Sequence, residues 1–303
     1  MSELTTVTVL GTGVLGSQIV MQAAYAGKDV VAYDISQELL DKLPERWDWM
    51  RAHYERDLEN FSDKDFDSAV GRITTSTDLA QAVGSADVVI EAIPENLDLK
   101  KKVWAEVGAA VPDHAILLTN SSSLRPSDFA DATGHPDRFL ALHFANMVWR
   151  QNTGEVMATP STDKAIFERT VEFAREINLQ PFPVHKEVPG YVLNSLLIPW
   201  LDAAAGLYAN EVANPEVIDK DWKLSTGSPK GPFEIYDIVG FNVAVNIART
   251  NPNASDAKKR FADLLEERGI NQGKAGLADG AGFYEYDENG NVERANPDWV
   301  IYE

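Results

Sequence analysis

Cysteine is absent from the 303 residues, which excludes disulfides, thiolate metal sites and a cysteine nucleophile. Basic residues are also scarce: 27 Lys and Arg stand against 47 Asp and Glu, a net charge of −20. Nucleic acid is therefore not an expected partner, because phosphate contacts need a basic surface, and any anionic ligand must meet locally arranged donors. No unbroken apolar run approaches the ~18 residues of a membrane span, and MSELTTVTVL has no basic segment ahead of an apolar one. Neither a membrane nor an export signal is indicated. The expectation is a cytoplasmic enzyme or binding protein that holds no metal.

What is present is an ordinary globular composition, with 44% hydrophobic and 24% charged residues. The length suggests two cores at roughly 150 residues each. TVTVL (6–10), GTGVLGSQIVMQAAYAG (11–27) and DVVAYD (29–34) read as strand, glycine turn with helix, and strand. Further strands are expected at 87–93, 115–121 and 139–144, with helices at 97–110 and 163–177. This alternation predicts an α/β domain with a Rossmann-type doubly wound sheet, mostly parallel and covered on both faces. After VPGYVLN the pattern turns helical, at 195–213, 215–227, 232–250 and 256–270. We expect a dinucleotide-binding domain over 1–188 and a smaller all-helical domain over 189–303, ending in a loose acidic tail from YDENGNVERANPDW.

Gly11, Gly13 and Gly16 complete G-x-G-x-x-G between a strand and a helix. The first permits the turn, the second lets a pyrophosphate approach the helix N-terminus, and the third lets helix and strand pack closely. Asp34, at the end of the next strand, supplies the acid for a ribose 2′-hydroxyl. It would repel a 2′-phosphate, and Ile35 and Ser36 offer no cation, so the cofactor is expected to be NAD rather than NADP. EAIPENLDLKKKVW (91–104) holds Glu91, Glu95 and Lys100, which suit a helix start with acids near the positive end of its dipole. TNSSSL (119–124) is a capping turn or a ligand-contacting strand end. His143 in LALHFANMVWRQNTGEVM is either a packed core residue or half of a proton-transferring pair with Glu155, and spacing alone leaves both open.

With these motifs in order, together with PGYVLN, KGPFEIYDIVG and GAGFYEY, the chain resembles the NAD-dependent 3-hydroxyacyl-CoA dehydrogenase family over nearly its whole length. Within that family TNSS, ALHFAN and EVM resemble the diketoreductase type. The resemblance implies that His143 is the acid/base, Glu155 its orienting carboxylate, Ser122 a hydrogen-bonding group and Asn194 a substrate contact from the second domain. It further implies that Glu95, Lys100, Ser122 and Asn146 contact the cofactor, that the active site lies between the domains, and that the second domain forms a homodimer. The implied activity is interconversion of (S)-3-hydroxyacyl and 3-oxoacyl substrates by hydride transfer, as in fatty acyl metabolism. Asn194 has a rival reading as a helix cap.

The departures matter as well. Where relatives commonly carry H-F-F-N-P, this chain has HFANM; N-R becomes Asn194-Ser195; and Ala278 stands where a lysine is frequent. WDWMRAHYERDLENF occupies the segment in which relatives turn serine and lysine toward CoA phosphates. Trp47, Trp49, Asp57 and the lost cations favour a second reading, a reductase of non-CoA 3-oxo or 3,5-dioxo acids and esters. Arg150 and Lys230 are either solvated charges or holders of a compact substrate's carboxylate. A non-catalytic dinucleotide-binding protein is the remaining alternative, and the presence of both His143 and Glu155 opposes it.

Overall fold

The computed structural model describes residues 3–288 and 290–301, and the chain divides into two compact units, Met1–Val192 and Leu193–Glu303. In the first unit, β1 (Thr6–Leu10), β2 (Asp29–Tyr33), β3 (Ile73–Ser76), β4 (Val88–Glu91), β5 (Ile116–Thr119), β6 (Phe139–Phe144), β7 (Thr153–Ala158) and β8 (Gln180–Val184) share one sheet. Its order is β3-β2-β1-β4-β5-β6-β7-β8. The helices of this unit are α1 (Val14–Tyr25), α2 (Gln37–Leu40), α3 (Leu43–Asp57), α4 (Asp63–Val70), α5 (Leu79–Val83), α6 (Leu97–Ala110) and α7 (Lys164–Glu176).

Alternate strand residues serve the two faces of this sheet. Val88 and Ile90 join Ile19, Val20 and Phe173 on one side, while Val89 and Leu117 join Trp104 and Phe129 on the other. That is the doubly wound arrangement expected from the pattern. The chain leaves β1 toward β2 and β3, then returns to β4 on the other flank of β1, so the crevice for a ligand falls at the carboxyl ends of β1 and β4.

Three strands of this sheet escaped the sequence pattern. β3 (ITTS) and β7 (TGEVMA) are short and partly polar, and β8 (QPFPV) carries two prolines that only an edge strand tolerates. β7 runs antiparallel to β6 and parallel to β8, which makes the sheet mixed.

The second unit follows from α8 (Tyr191–Ala209), α9 (Pro215–Thr226), α10 (Pro232–Val239), α11 (Phe241–Thr250) and α12 (Asp256–Arg268). The single helix expected over 232–250 is interrupted at Gly240, whose φ of 86° is left-handed and outside any helix. The loose tail is likewise corrected: β9 (Tyr284–Tyr286) pairs with β10 (Val292–Ala295), and Trp299 is buried against Phe241 and Phe283. By length and composition α8 is apolar enough to cross a membrane, with a mean hydropathy of 1.3. Yet Leu201, Ala204, Ala205 and Tyr208 belong to the core of this unit, and Asp202 is ion-paired with Lys258 at 2.8 Å.

Candidate active site

The glycine turn has the geometry its sequence demands. Gly11 holds φ at 93°, and a Cβ there would lie 2.7 Å from the Ala92 carbonyl oxygen; one at Gly16 would run into the Gly11 carbonyl. Gly13 faces open space. It also caps α1 with no side-chain bond and no acid in the first turn, which leaves the helix N–H groups for an anion. Asp34 follows β2, and its Oδ2 accepts from the Thr12 N–H and hydroxyl at 2.7 and 2.6 Å. The Ile35 N–H donates to Oδ1 at 2.8 Å. The acid and the glycine turn are thus one hydrogen-bonded unit.

A pocket runs from this turn past Gly13, Leu15 and Ile93 to Glu95, Asn120 and Ser122. Beneath it, Lys100 is 1% exposed, and its ammonium donates at 2.5 Å to Glu91, which is fully buried at the end of β4. Thr119 donates to the other Glu91 oxygen at 2.8 Å. The helix-start reading of this segment therefore fails for Glu91 and Lys100: Asn96 caps α6 through the Leu99 N–H, while these two make an internal ion pair. Glu95 faces the serine loop, where the Ser121 hydroxyl (2.7 Å) and the N–H groups of Ser122 (3.1 Å), Ser123 (2.8 Å) and Leu124 (3.1 Å) point at Oε1. Burial pushes Glu95 up, but the Ser121 hydroxyl, the Ser123 and Leu124 N–H groups and the Lys100 charge outweigh it and hold the carboxyl at about 2.

His143 and Glu155 are direct partners across the β6–β7 antiparallel pairing. That register, which spacing could not reveal, puts both on the same sheet face. His143 Nδ1 lies 3.0 Å from Glu155 Oε2, and Nε2 lies 3.1 Å from Ser122 Oγ. An ionised carboxylate only accepts, so Nδ1 carries the proton and the neutral ring presents Nε2 as a base toward Ser122. Both members are largely buried, with side chains 10% and 7% exposed. The Val192 N–H in the first turn of α8 donates to Glu155 Oε1 at 3.0 Å, where a helix N-terminus favours the charged carboxylate.

The loop between the two strands is rebuilt around Gln18 of α1. Gln18 donates to Asn146 Oδ1 at 2.9 Å and accepts from the Met147 N–H at 2.8 Å. Met147 has φ of 60°, a value closed to proline, which accounts physically for HFANM in place of H-F-F-N-P. Trp149 donates from its indole to Asp57 Oδ2 at 3.0 Å and packs on Trp49 and Tyr54. Trp47 is buried in the core. Asp57 and Trp47 therefore pin α3 rather than face a substrate, while Trp49 stays half-exposed. The Arg56 guanidinium first, and then the Trp149 indole, hold Asp57 at about 2 against the upward push of burial.

Gly13, Gly16, Glu95, Lys100 and Ser122 thus line one pocket, Gly11 and Asp34 belong to the glycine turn at its start, and Ser122 joins the pocket to His143 and Glu155. Asn194 lies inside α8 rather than at its cap and belongs to the second unit, as does Lys230. Arg150 and Lys230 are both exposed. Sequence reasoning missed Gln18, the Asn120 side chain that accepts the Phe144 N–H at 2.8 Å, and Tyr191. PGYVLN had placed an aromatic beside the motif, but nothing in the pattern said what it touches.

A doubly wound sheet, a glycine turn with an acid on the next strand, and a buried His–Glu pair at the pocket's end define an NAD-dependent dehydrogenase acting on a CH–OH group. The 3-hydroxyacyl-CoA dehydrogenase NAD-binding domain model matches residues 6–188, and the C-terminal domain model of the same family matches residues 190–286. The chain belongs to the 3-hydroxyacyl-CoA dehydrogenase family. It is 34% identical to the mitochondrial hydroxyacyl-coenzyme A dehydrogenase of Rattus norvegicus, over 92% of this chain and 90% of that one. Against the 3-hydroxybutyryl-CoA dehydrogenase of Clostridioides difficile the identity is 32%, over 92% and 99%. Among solved structures, a diketoreductase described as acting on dicarbonyl compounds aligns with a TM-score of 0.91 and 51% identity, over 94% of this chain and 100% of that one.

Proposed function

We propose that the protein interconverts (S)-3-hydroxyacyl and 3-oxoacyl compounds with NAD(H), with His143 as acid/base. One observation carries the reading: a single imidazole that meets Glu155 on Nδ1 and Ser122 on Nε2, at the end of the pocket that starts at the glycine turn. In oxidation the substrate hydroxyl gives its proton to Nε2 while the C3–H pair leaves as hydride; in reduction Nε2 returns the proton to the forming alkoxide. Bound NAD supplies the hydride acceptor. Glu155 keeps the proton on Nδ1 and offsets the charge of the imidazolium, and Ser122 donates to the substrate oxygen as charge develops. The open backbone at Gly13, the uncapped α1 and Asp34 fit a dinucleotide. Gly11, Gly13, Gly16, Asp34, Glu95, Lys100, Ser122 and Asn146 are assigned to it, and Asn194 to the substrate.

CoA thioesters are the default substrate class, supported by the family. A second reading, reduction of free 3-oxo or 3,5-dioxo acids and esters, is supported by the 51% identity to the diketoreductase. Arg150 and Lys230, exposed and without a side-chain hydrogen bond or ion pair among the described residues, are available to a substrate carboxylate on that reading. NADH oxidation with acetoacetyl-CoA and with a free 3-oxo ester, run side by side, decides between them, and no turnover of either would refute both. We also assign the protein to the cytoplasm and infer a homodimer through the second unit, supported by the apolar side chains it leaves exposed, Leu196 and Leu224 being 70% and 78% accessible.

A further inference from the structure

Tyr191 is buried beside the dyad in an unusual way. Its ring lies over the His143 imidazole with centroids 4.5 Å apart and planes 9° from parallel. Its hydroxyl donates to the Ser121 carbonyl oxygen at 2.6 Å. The next residue, Val192, donates its N–H to Glu155. The backbone here is strained, with φ of 54° at Tyr191 after 82° at Gly190. An aromatic side chain is an outlier in that region and persists only where its surroundings over-determine it.

We propose that Tyr191 is a positioning residue for the proton-transfer step: its ring sets the plane of the His143 imidazole and its hydroxyl sets the loop that carries Ser122. The inference rests on the dyad reading above. The bond it serves is the 3.1 Å contact between Ser122 Oγ and His143 Nε2. Each end of that bond has a freedom that its own element does not remove. Ser122 sits on an exposed turn, and the imidazole, held at Nδ1 by one carboxylate oxygen, can still swing about its Cβ–Cγ bond. The Tyr191 hydroxyl anchors the backbone one residue before Ser122, and the stacked ring blocks the swing, so one side chain sets both ends.

The ring also acts on charge. A neutral aromatic face against the imidazole favours the protonated ring as it takes the substrate proton. The phenol stays neutral, since burial first, and then the charges of Glu95, Glu155, Glu91 and Glu187, push its ionisation well above the usual tyrosine range. Those carboxylates, from the loop before α6, from β7, from the end of β4 and from the segment before α8, are the charged groups whose field reaches it. Replacing Tyr191 alters none of them. The competing account makes Tyr191 a filler among Ala141, Met157 and Val184, the small apolar cluster to which it belongs.

Three variants, measured in the whole protein, separate these accounts. Tyr191→Phe keeps the ring and removes only the anchor on Ser121; it should lower kcat about fivefold, the scale of one neutral hydrogen bond, with the KM for NAD unchanged. Tyr191→Leu removes the ring as well. It should lower kcat by roughly 10- to 100-fold and move the acidic limb of the kcat/KM profile for alcohol oxidation down by about 0.5 to 1 pH unit, as the imidazolium loses its aromatic partner. His143→Ala is the control for the underlying reading. If His143→Ala retains turnover, the dyad assignment falls. If it is inactive while a folded, NADH-binding Tyr191→Leu keeps the parental profile and a kcat within twofold, the dyad stands and the Tyr191 inference is overturned. Should Tyr191→Leu not fold, Tyr191→Phe decides alone: parental kcat overturns the inference, and a fivefold loss at unchanged thermal stability supports it.

Discussion

Replacing Asp34 with alanine should change cofactor choice and stability together, because its carboxylate serves both. For choice, a phosphate brought within about 5 Å of the carboxylate, at an effective dielectric constant near 20, is repelled by roughly 3 kcal/mol per unit charge. The unmodified enzyme should thus favour NADH over NADPH by at least ~10² in kcat/KM. For stability, three donors converge on Asp34: the Thr12 N–H and hydroxyl and the Ile35 N–H. Ile35 is 80% exposed, so water replaces its bond, but Thr12 is only 2% exposed, so its N–H and hydroxyl lose their acceptor away from water. A stranded buried donor costs about 1–3 kcal/mol, and loss of charge-assisted bonds brings the total to roughly 2–4 kcal/mol. At about 2–4 °C per kcal/mol for a domain of this size, Asp34→Ala should melt roughly 4–16 °C below the parent. Asp34→Asn retains one acceptor for Thr12 and should recover part of that stability with the same relaxed cofactor choice. The assay is kcat/KM with each cofactor beside a thermal melt. Equal use of NADH and NADPH by the unmodified enzyme, or an unchanged ratio in Asp34→Ala, would refute the argument; a parental melting temperature would refute the stability half alone.

Three further outcomes are expected. His143→Ala should lower turnover by roughly 10²–10⁴ with NADH binding retained, and Glu155→Gln should also be severe, because a neutral amide no longer favours the imidazolium; near-normal kcat in both would make His143 a core residue. Met147→Pro cannot hold φ at 60° and loses the N–H bond to Gln18, so it should cost about 3 kcal/mol or more, read as a melting temperature lowered by at least ~6 °C. Burial, opposed by backbone N–H and tyrosine hydroxyl donors, pushes Asp219 up to about 6 and Asp237 up to about 7 from an unfolded 3.8. Above pH 4 the folded state therefore keeps protons that the unfolded chain has released, and stability should fall as pH rises from about 4 to about 7, by up to ~1.4 kcal/mol per pH unit for each group. The lowered Glu95 and Asp57 act in the opposite sense, and only below about pH 4.5. Asp219→Asn should flatten the slope between about pH 4 and about pH 6; a slope there identical to the parent's would sink the assignment.

Local pattern alone was enough for the glycine turn, for β6 at Phe139–Phe144 and for α6 at Leu97–Ala110, because their turn residues and apolar periods lie within a few residues of one another. It also sufficed for NAD, since Asp34 closes a βαβ unit whose parts are adjacent in the chain. Contacts between distant segments settled the rest. β8, with two prolines, gives no strand signal of its own and becomes a strand only because β7 offers it an edge. His143 and Glu155 become a pair through the register of β6 on β7, which no spacing rule supplies when the intervening loop is irregular. The absence of proline at Met147 was visible as a departure, but its reason is Gln18, on a helix far back in the chain, which accepts the Met147 N–H. Glu91 and Lys100 looked like helix-end charges until the sheet closed over them. Tyr191 acquired its place over the imidazole in the same way. A side chain's immediate neighbours in sequence bias its backbone, whereas its chemistry depends on which distant groups the packed sheet brings within about 4 Å of it.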